Sequence, residues 1–175
     1  MIKAIGSARN LETDSAEFYS YIEDLLELPE VQQMKTFRHH GRATTFDHCI
    51  NVAYYNYKLC KFFKLDAKAG ARAGLLHDLF LYDWHTYKAP KGKPMHGFTH
   101  GEEACKNAEK VVDLTPKERD IITNHMFPMT LGTFPKHPET AVISLTDKYC
   151  GLLETVERPI HYRYKIKEKL KALIG

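Results

Sequence analysis

The sequence predicts an all-α fold, a compact bundle of about six to eight helices. Three observations carry this. Apolar residues recur at three- and four-residue spacing through most of the chain. Helix-starting residues precede those runs, and glycine or proline follows several of them. No segment alternates apolar and polar residues as a half-buried strand does. A chain of 175 residues fits one domain with a sizeable core. That core is expected over about 40–155, with N-terminal helices and a basic C-terminal helix packed on it.

Residues 1–13 read as a loose lead-in. Ser15 can cap a helix over about 16–28, with Phe18, Ile22, Leu25 and Leu26 on one face and Pro29 stopping it. A short helix over 31–36 leads into the basic loop Phe37-Arg38-His39-His40-Gly41-Arg42. Thr44 or Thr45 caps a strong helix over about 46–63, and His48 heads one of its core-facing stripes. A helix over about 67–81 follows. It contains Ala71-Arg72-Ala73-Gly74-Leu75-Leu76-His77-Asp78-Leu79-Phe80-Leu81, apolar nearly all round and therefore buried. Gly70, Ala73 and Gly74 share a face with His77 and let another helix approach closely. The aromatic and lysine-rich stretch 82–98 is long enough to be a lid or binding loop. Thr99 can cap a helix from His100 to about Val112. Thr115-Pro116-Lys117-Glu118 is a capping box that opens a helix over 116–126, ending with His125 before Pro128. The last strong helix starts near Pro138 and holds Asp147 inside an apolar run. Pro159 begins a basic terminal stretch with Ile166, Leu170 and Leu173 at helical spacing.

Composition narrows the function classes. The net charge of +3 is too mild to argue for nucleic acid, and the basic tail lacks a recognition motif. Cys49, Cys60, Cys105 and Cys150 are dispersed, as expected of small core residues in a reduced, cytoplasmic protein. No signal peptide or membrane-spanning run is expected. Ten histidines are many for this length, and they form no tag-like run.

An ionised aspartate in an apolar helix is costly unless something pairs with it. For an adjacent His-Asp pair a metal ion is the natural partner. His48, His77, Asp78, His100, His125 and Asp147 all stand at inward-facing or helix-end positions, on five different helices. Imidazole and carboxylate together suit a first-row divalent ion. His96 is the rival to His100. His39, His40, His85 and His137 read as surface or loop histidines, with His39 and His40 able to edge the site.

The order H…HD…H…H…D resembles the HD-domain superfamily of metal-dependent phosphohydrolases. The most specific pieces are Ala73-Gly74-Leu75-Leu76-His77-Asp78, His100-Gly101-Glu102-Glu103-Ala104 and Leu145-Thr146-Asp147-Lys148. By pattern the chain looks like the small stand-alone bacterial HD proteins, including the di-metal diadenosine-tetraphosphate hydrolases. The resemblance implies that His48, His77, Asp78 and Asp147 hold a first metal. It further implies that His100 and His125 hold a second, with Asp78 bridging. Many binuclear members carry Gly-Lys shortly after the HD pair, where this chain has Phe80-Leu81-Tyr82-Asp83-Trp84.

The expected cofactor is one or two divalent transition metals, with Fe, Mn, Co, Ni and Zn all open. Two cations about 3.5–4 Å apart can clamp a phosphate and activate a water as hydroxide for attack on phosphorus. Asp78 would act in that catalysis as the bridging carboxylate. Asp83 or His85 can donate the leaving-group proton. Arg42, Lys88 and Lys148, with Arg38, Lys91 and Lys93, are candidate phosphate grips. Trp84 and Tyr87 are candidate stacking platforms for a base. The leading expectation is a hydrolase of a nucleotide or another small phosphate ester. A di-iron oxygenase of the HD type and a non-catalytic nucleotide sensor stay open, as does a homodimer.

Overall fold

The computed structural model describes residues 16–89, 91, 92, 94–130 and 134–174, and side chains as far as 156. The lead-in 1–13, the Ser15 cap, Lys93 and the side chains of Ile166, Leu170 and Leu173 lie outside the described residues. Seven α-helices and no strand are found among those described. They are α1 (Ala16–Leu26), α2 (Pro29–Gln33), α3 (Thr45–Phe62), α4 (Ala67–Leu76), α5 (His96–Ala108), α6 (Pro116–Asn124) and α7 (Pro138–Ile174). A single 3-10 turn, Met34–Thr36, follows α2. No described helix is long and apolar enough to cross a membrane.

The cap residues set the starts of three helices. The Thr44 side chain accepts from Asp47 N while Asp47 reaches back to the Thr44 N–H, so α3 begins on a complete capping box. Thr115 and Glu118 do the same for α6, with Pro116 at the first helical position. Asp66 caps α4 by accepting from Ala69 N at 2.9 Å.

Helix α4 lies at the centre, packed on α1, α3 and α6. Leu75, Leu76, Leu79, Ile121, Ile122 and Ile143 are fully buried around it. Truncating one such leucine to alanine costs about 2–5 kcal/mol. The predicted close approach is real at Gly74. A Cβ there would stand 2.7 Å from Ala53 Cα, so α3 and α4 meet backbone to backbone. Two polar knots lock the packing. Asn56 of α3 donates to the Gly70 carbonyl and accepts from Thr146 Oγ1 of α7 at 2.6 Å. Arg72 of α4 bonds Glu118 of α6 at 3.0 Å and Asp24 of α1 at 2.6 Å. All four cysteines are buried and free.

Four boundaries differ from the sequence expectation. Pro29 does not merely stop α1 but starts α2, because proline suits the first helical position. Helix α4 ends at Leu76, so His77 and Asp78 sit in the turn after it. Helix α5 begins at His96 rather than His100, and Thr99 Oγ1 bonds back to the His96 carbonyl as an interior helical threonine does. Helix α7 runs through Pro159 to Ile174 as one helix. Proline removes one backbone hydrogen bond there, and the Glu-, Lys-, Leu- and Arg-rich flanks remain helical on both sides.

Candidate metal centre

Each candidate ligand is carried to one place by a helix or its end. His48 lies in the first turn of α3, His77 and Asp78 follow α4, His100 is in α5, His125 caps the end of α6, and Asp147 is in α7. Helices α5 and α6 touch at Gly101, where an added Cβ would stand 2.7 Å from the Thr123 carbonyl oxygen. That contact brings His100 to His125.

One half of the cluster is braced by carboxylates. His48 Nε2 donates to Asp147 Oδ1 at 3.1 Å, and His48 Nδ1 donates to Glu154 Oε2 at 2.9 Å. Asn51 Nδ2 holds the other Glu154 oxygen at 3.0 Å. His77 Nε2 stands 3.8 Å from Asp147 Oδ1. Burial opposes a charge on His48, but its bonds to Asp147 and Glu154 outweigh burial and raise its pKa to about 10. Asp147 is held well below the usual carboxylate range: burial works against its charge, and His48 and His77 override burial.

The other half has no carboxylate of its own. His100 Nδ1 donates to the His96 carbonyl at 3.0 Å, and His125 Nδ1 donates to the Ile122 carbonyl at 2.7 Å. Both Nε2 atoms therefore face inward, 2.8 Å apart. Burial, with the neighbouring His100 and His77, lowers the His125 pKa to about 3.

Asp78 lies between the halves. Its Oδ2 is 3.5 Å from His77 Nε2, and its Oδ1 is 3.5 Å from His100 Nε2 and 3.8 Å from His125 Nε2. Burial opposes its charge, yet the surrounding imidazoles, His77 first, keep its pKa well below the usual value.

This donor set fits divalent cations. Ligand atoms bound to one cation at about 2.0–2.2 Å stand roughly 3–3.5 Å apart, and the spacings above are already close to that. With both Nδ1 protons committed to carbonyls, the His100 and His125 nitrogens meet lone pair to lone pair unless a proton or a cation lies between them. His77 Nε2 and Asp78 Oδ1 are buried without a hydrogen-bond partner. Three overlapping trios have ligand atoms within 4.8 Å of one another: His39, His48 and Asp78; His48, His77 and Asp147; His77, Asp78 and His125.

Two members of the cluster go beyond the sequence reading, which places His39 at most at the edge of the site and does not name Glu154. His39 is 8% exposed, not a surface histidine, and its Nε2 donates to Asp78 Oδ2 at 3.0 Å. The hairpin-like closure of 37–45 puts it there, through His39 N to Ala43 O and Thr45 N to Phe37 O, both 2.9 Å, with a φ of +57° at Gly41. Glu154 is the other, and its signal was present. It lies seven residues after Asp147, two turns along the same helix face.

The remaining candidates are placed around the rim or outside it. Asp83 and His85 pair with each other, through Asp83 Oδ1 to His85 N at 2.9 Å and to His85 Nδ1 at 3.1 Å. His96 stacks on His100 at 4.6 Å and hydrogen-bonds Tyr82 at 2.9 Å. Trp84 packs among His39, His40, His85 and His96. Arg42 and Lys88 are exposed, and Lys148 is exposed with Nζ donating to the Ser144 carbonyl at 3.0 Å. Compared with known proteins, the chain matches no family model, no curated protein and no solved structure.

Proposed function

We propose that this protein is a metal-dependent phosphohydrolase of the HD type, acting on a nucleotide or another small phosphate ester. The observation that carries the reading is Asp78. One carboxylate oxygen faces the His77 side and the other faces His100 and His125. A bridging carboxylate with imidazoles on both sides suits a pair of cations. Bound there, the cations would lower the pKa of water toward neutrality and neutralise phosphate oxygens. His48, His77 and Asp147 would hold one of them, with His100 and His125 holding the other. Glu154 fixes the His48 tautomer so that Nε2 points inward. Asp83 and His85 form an exposed pair able to pass a proton to a departing alkoxide. The nucleotide preference rests on Tyr87, an exposed aromatic ring beside Tyr82 and His96.

Purified protein should contain one or two transition-metal ions per chain by elemental analysis. A panel of nucleoside mono-, di- and polyphosphates, assayed with Mn, Fe, Co, Ni and Mg, should release phosphate. Asp78→Ala should lose metal and turnover together. A wild-type chain that takes up no metal overturns the centre. A metal-loaded chain that cleaves nothing in the panel overturns the hydrolase, and oxygen uptake by its reduced iron form would make it an oxygenase.

A further inference from the structure

The only tryptophan of the chain, Trp84, is held by local geometry rather than left free on a loop. It follows Asp78 by six residues. In between, Leu81 adopts a φ of +56°, a left-handed conformation that a leucine takes only where its surroundings impose it. Asp83 then anchors the turn that carries the indole. It accepts from His85 N through its side chain, and from Tyr87 N at 3.0 Å through its carbonyl.

The ring so placed lies against imidazoles that border the cluster. His39 stands at 6.2 Å and His40 at 5.9 Å between ring centroids, and His39 touches Asp78. His96 lies at 5.9 Å, nearly parallel to the indole, and in turn stacks on the ligand candidate His100. His85 stacks on the indole at 4.0 Å.

An indole nitrogen can only donate. The Trp84 Nε1 atom is buried and has no acceptor among the described residues. A buried donor without an acceptor keeps its full desolvation cost until something accepts from it. The described lysine and arginine candidates for gripping phosphate are exposed, whereas the Trp84 donor is buried beside histidines of the cluster.

We infer that Trp84 is a phosphoryl-positioning donor: its Nε1–H bonds a non-bridging oxygen of the substrate phosphate above the His/Asp cluster. The aromatic face, read from sequence as a platform for a base, instead packs on imidazoles and orients the N–H. This inference rests on the phosphohydrolase reading. It extends that reading to esters in which the phosphate, not the base, is the recognised group.

Because the chain has one tryptophan, its indole N–H gives a single resonance. Wild-type protein loaded with Zn or Mg is titrated with inorganic phosphate. The expected result is a saturable downfield shift of that resonance. Trp84→Phe keeps an aromatic ring and removes the donor. It should retain the wild-type metal content and bind inorganic phosphate and a nucleoside monophosphate about tenfold more weakly, equally for both. Three results overturn the inference: an indole resonance unmoved when calorimetry shows phosphate bound, unchanged phosphate affinity in Trp84→Phe, or a loss confined to the nucleotide, which would mark stacking. The resonance is read on the wild-type chain, so the test survives a variant that fails to fold. A wild-type chain that binds neither metal nor phosphate removes the phosphohydrolase reading and this inference together. Metal and phosphate binding with any of the three results removes this inference alone.

Discussion

The two halves of the cluster use the same side chain in opposite electrostatic settings. His48 is gripped by two carboxylates and holds its charge, with a pKa raised to about 10. His125 faces imidazoles, leans on a backbone carbonyl and has its pKa lowered to about 3. The first half is a self-sufficient ion-pair network linking α3 to α7. The second is a pair of lone pairs held together by the close packing of α5 on α6. A cation would replace protons in the first half and fill an electrostatic gap in the second. The halves should therefore respond differently to the loss of a histidine.

The largest effect is expected in the metal-free protein. His48→Gln removes the charge between Asp147 and Glu154 and leaves buried carboxylates poorly paired. Such a loss costs about 3–5 kcal/mol. His125→Gln breaks no ion pair of comparable geometry, only the bond to the Ile122 carbonyl, and should cost about 1–2 kcal/mol. Denaturant unfolding of both variants after chelation measures the contrast. Equal losses would show that the halves are not electrostatically distinct.

A smaller effect comes from behind the first half. Glu154→Gln keeps the shape but frees the His48 tautomer. Affinity for one cation should fall about 10–100-fold while affinity for the other is unchanged. Calorimetric titration with Co or Mn reads this directly, and weakening of both sites together would contradict the division.

The smallest effect lies outside the cluster. Asp120 of α6 accepts from Lys136 N, His137 N and Thr140 Oγ1, and so ties the start of α7 to the helix that carries His125. Burial works against its charge, but His137 and these donors hold its pKa below the usual value. A depressed folded-state pKa gives stability that is complete above the unfolded value of about 3.9. That stability is lost as pH falls from there through the folded value. Asp120→Asn keeps an amide oxygen as acceptor and should lose about 1 kcal/mol at neutral pH. Its stability should also vary less than wild type's as pH falls below about 4, which thermal melts across pH 2.5–7 would follow.

What was legible in the sequence followed helical periodicity. The all-α class, a cap at Thr44 or Thr45 and one at Thr115, the buried run around His77-Asp78 and the small face at Gly74 could all be read from residue spacing. His39 could not. Its neighbours are basic and polar, and only the closure of 37–45 onto Asp78, a contact across 39 residues, buries it. The end of α4 was also overrun, because the apolar residues continue to Leu81 while the backbone turns at His77. Helix periodicity sees which residues are buried there, but not that the chain has left the helix. The rim was hardest to read. Asp83 and His85 satisfy each other locally, and the surroundings of Trp84 come from three separate segments.

Three of the imidazoles share one further property. His77, His100 and His125 each give the Nδ1 proton to a carbonyl three or four residues back, those of Gly74, His96 and Ile122. The tautomer of each ring is thus set by its own stretch of chain and not by what it binds. An ion arriving there would meet Nε2 atoms already turned toward it, with a proton to displace at His77, where burial opposes the charge but Asp78 and its neighbours outweigh burial and raise the pKa. Turning any of these rings would first break a buried bond to the backbone. Capture of a cation there would then be a matter of arrival, desolvation and proton release, with no ring to be turned first.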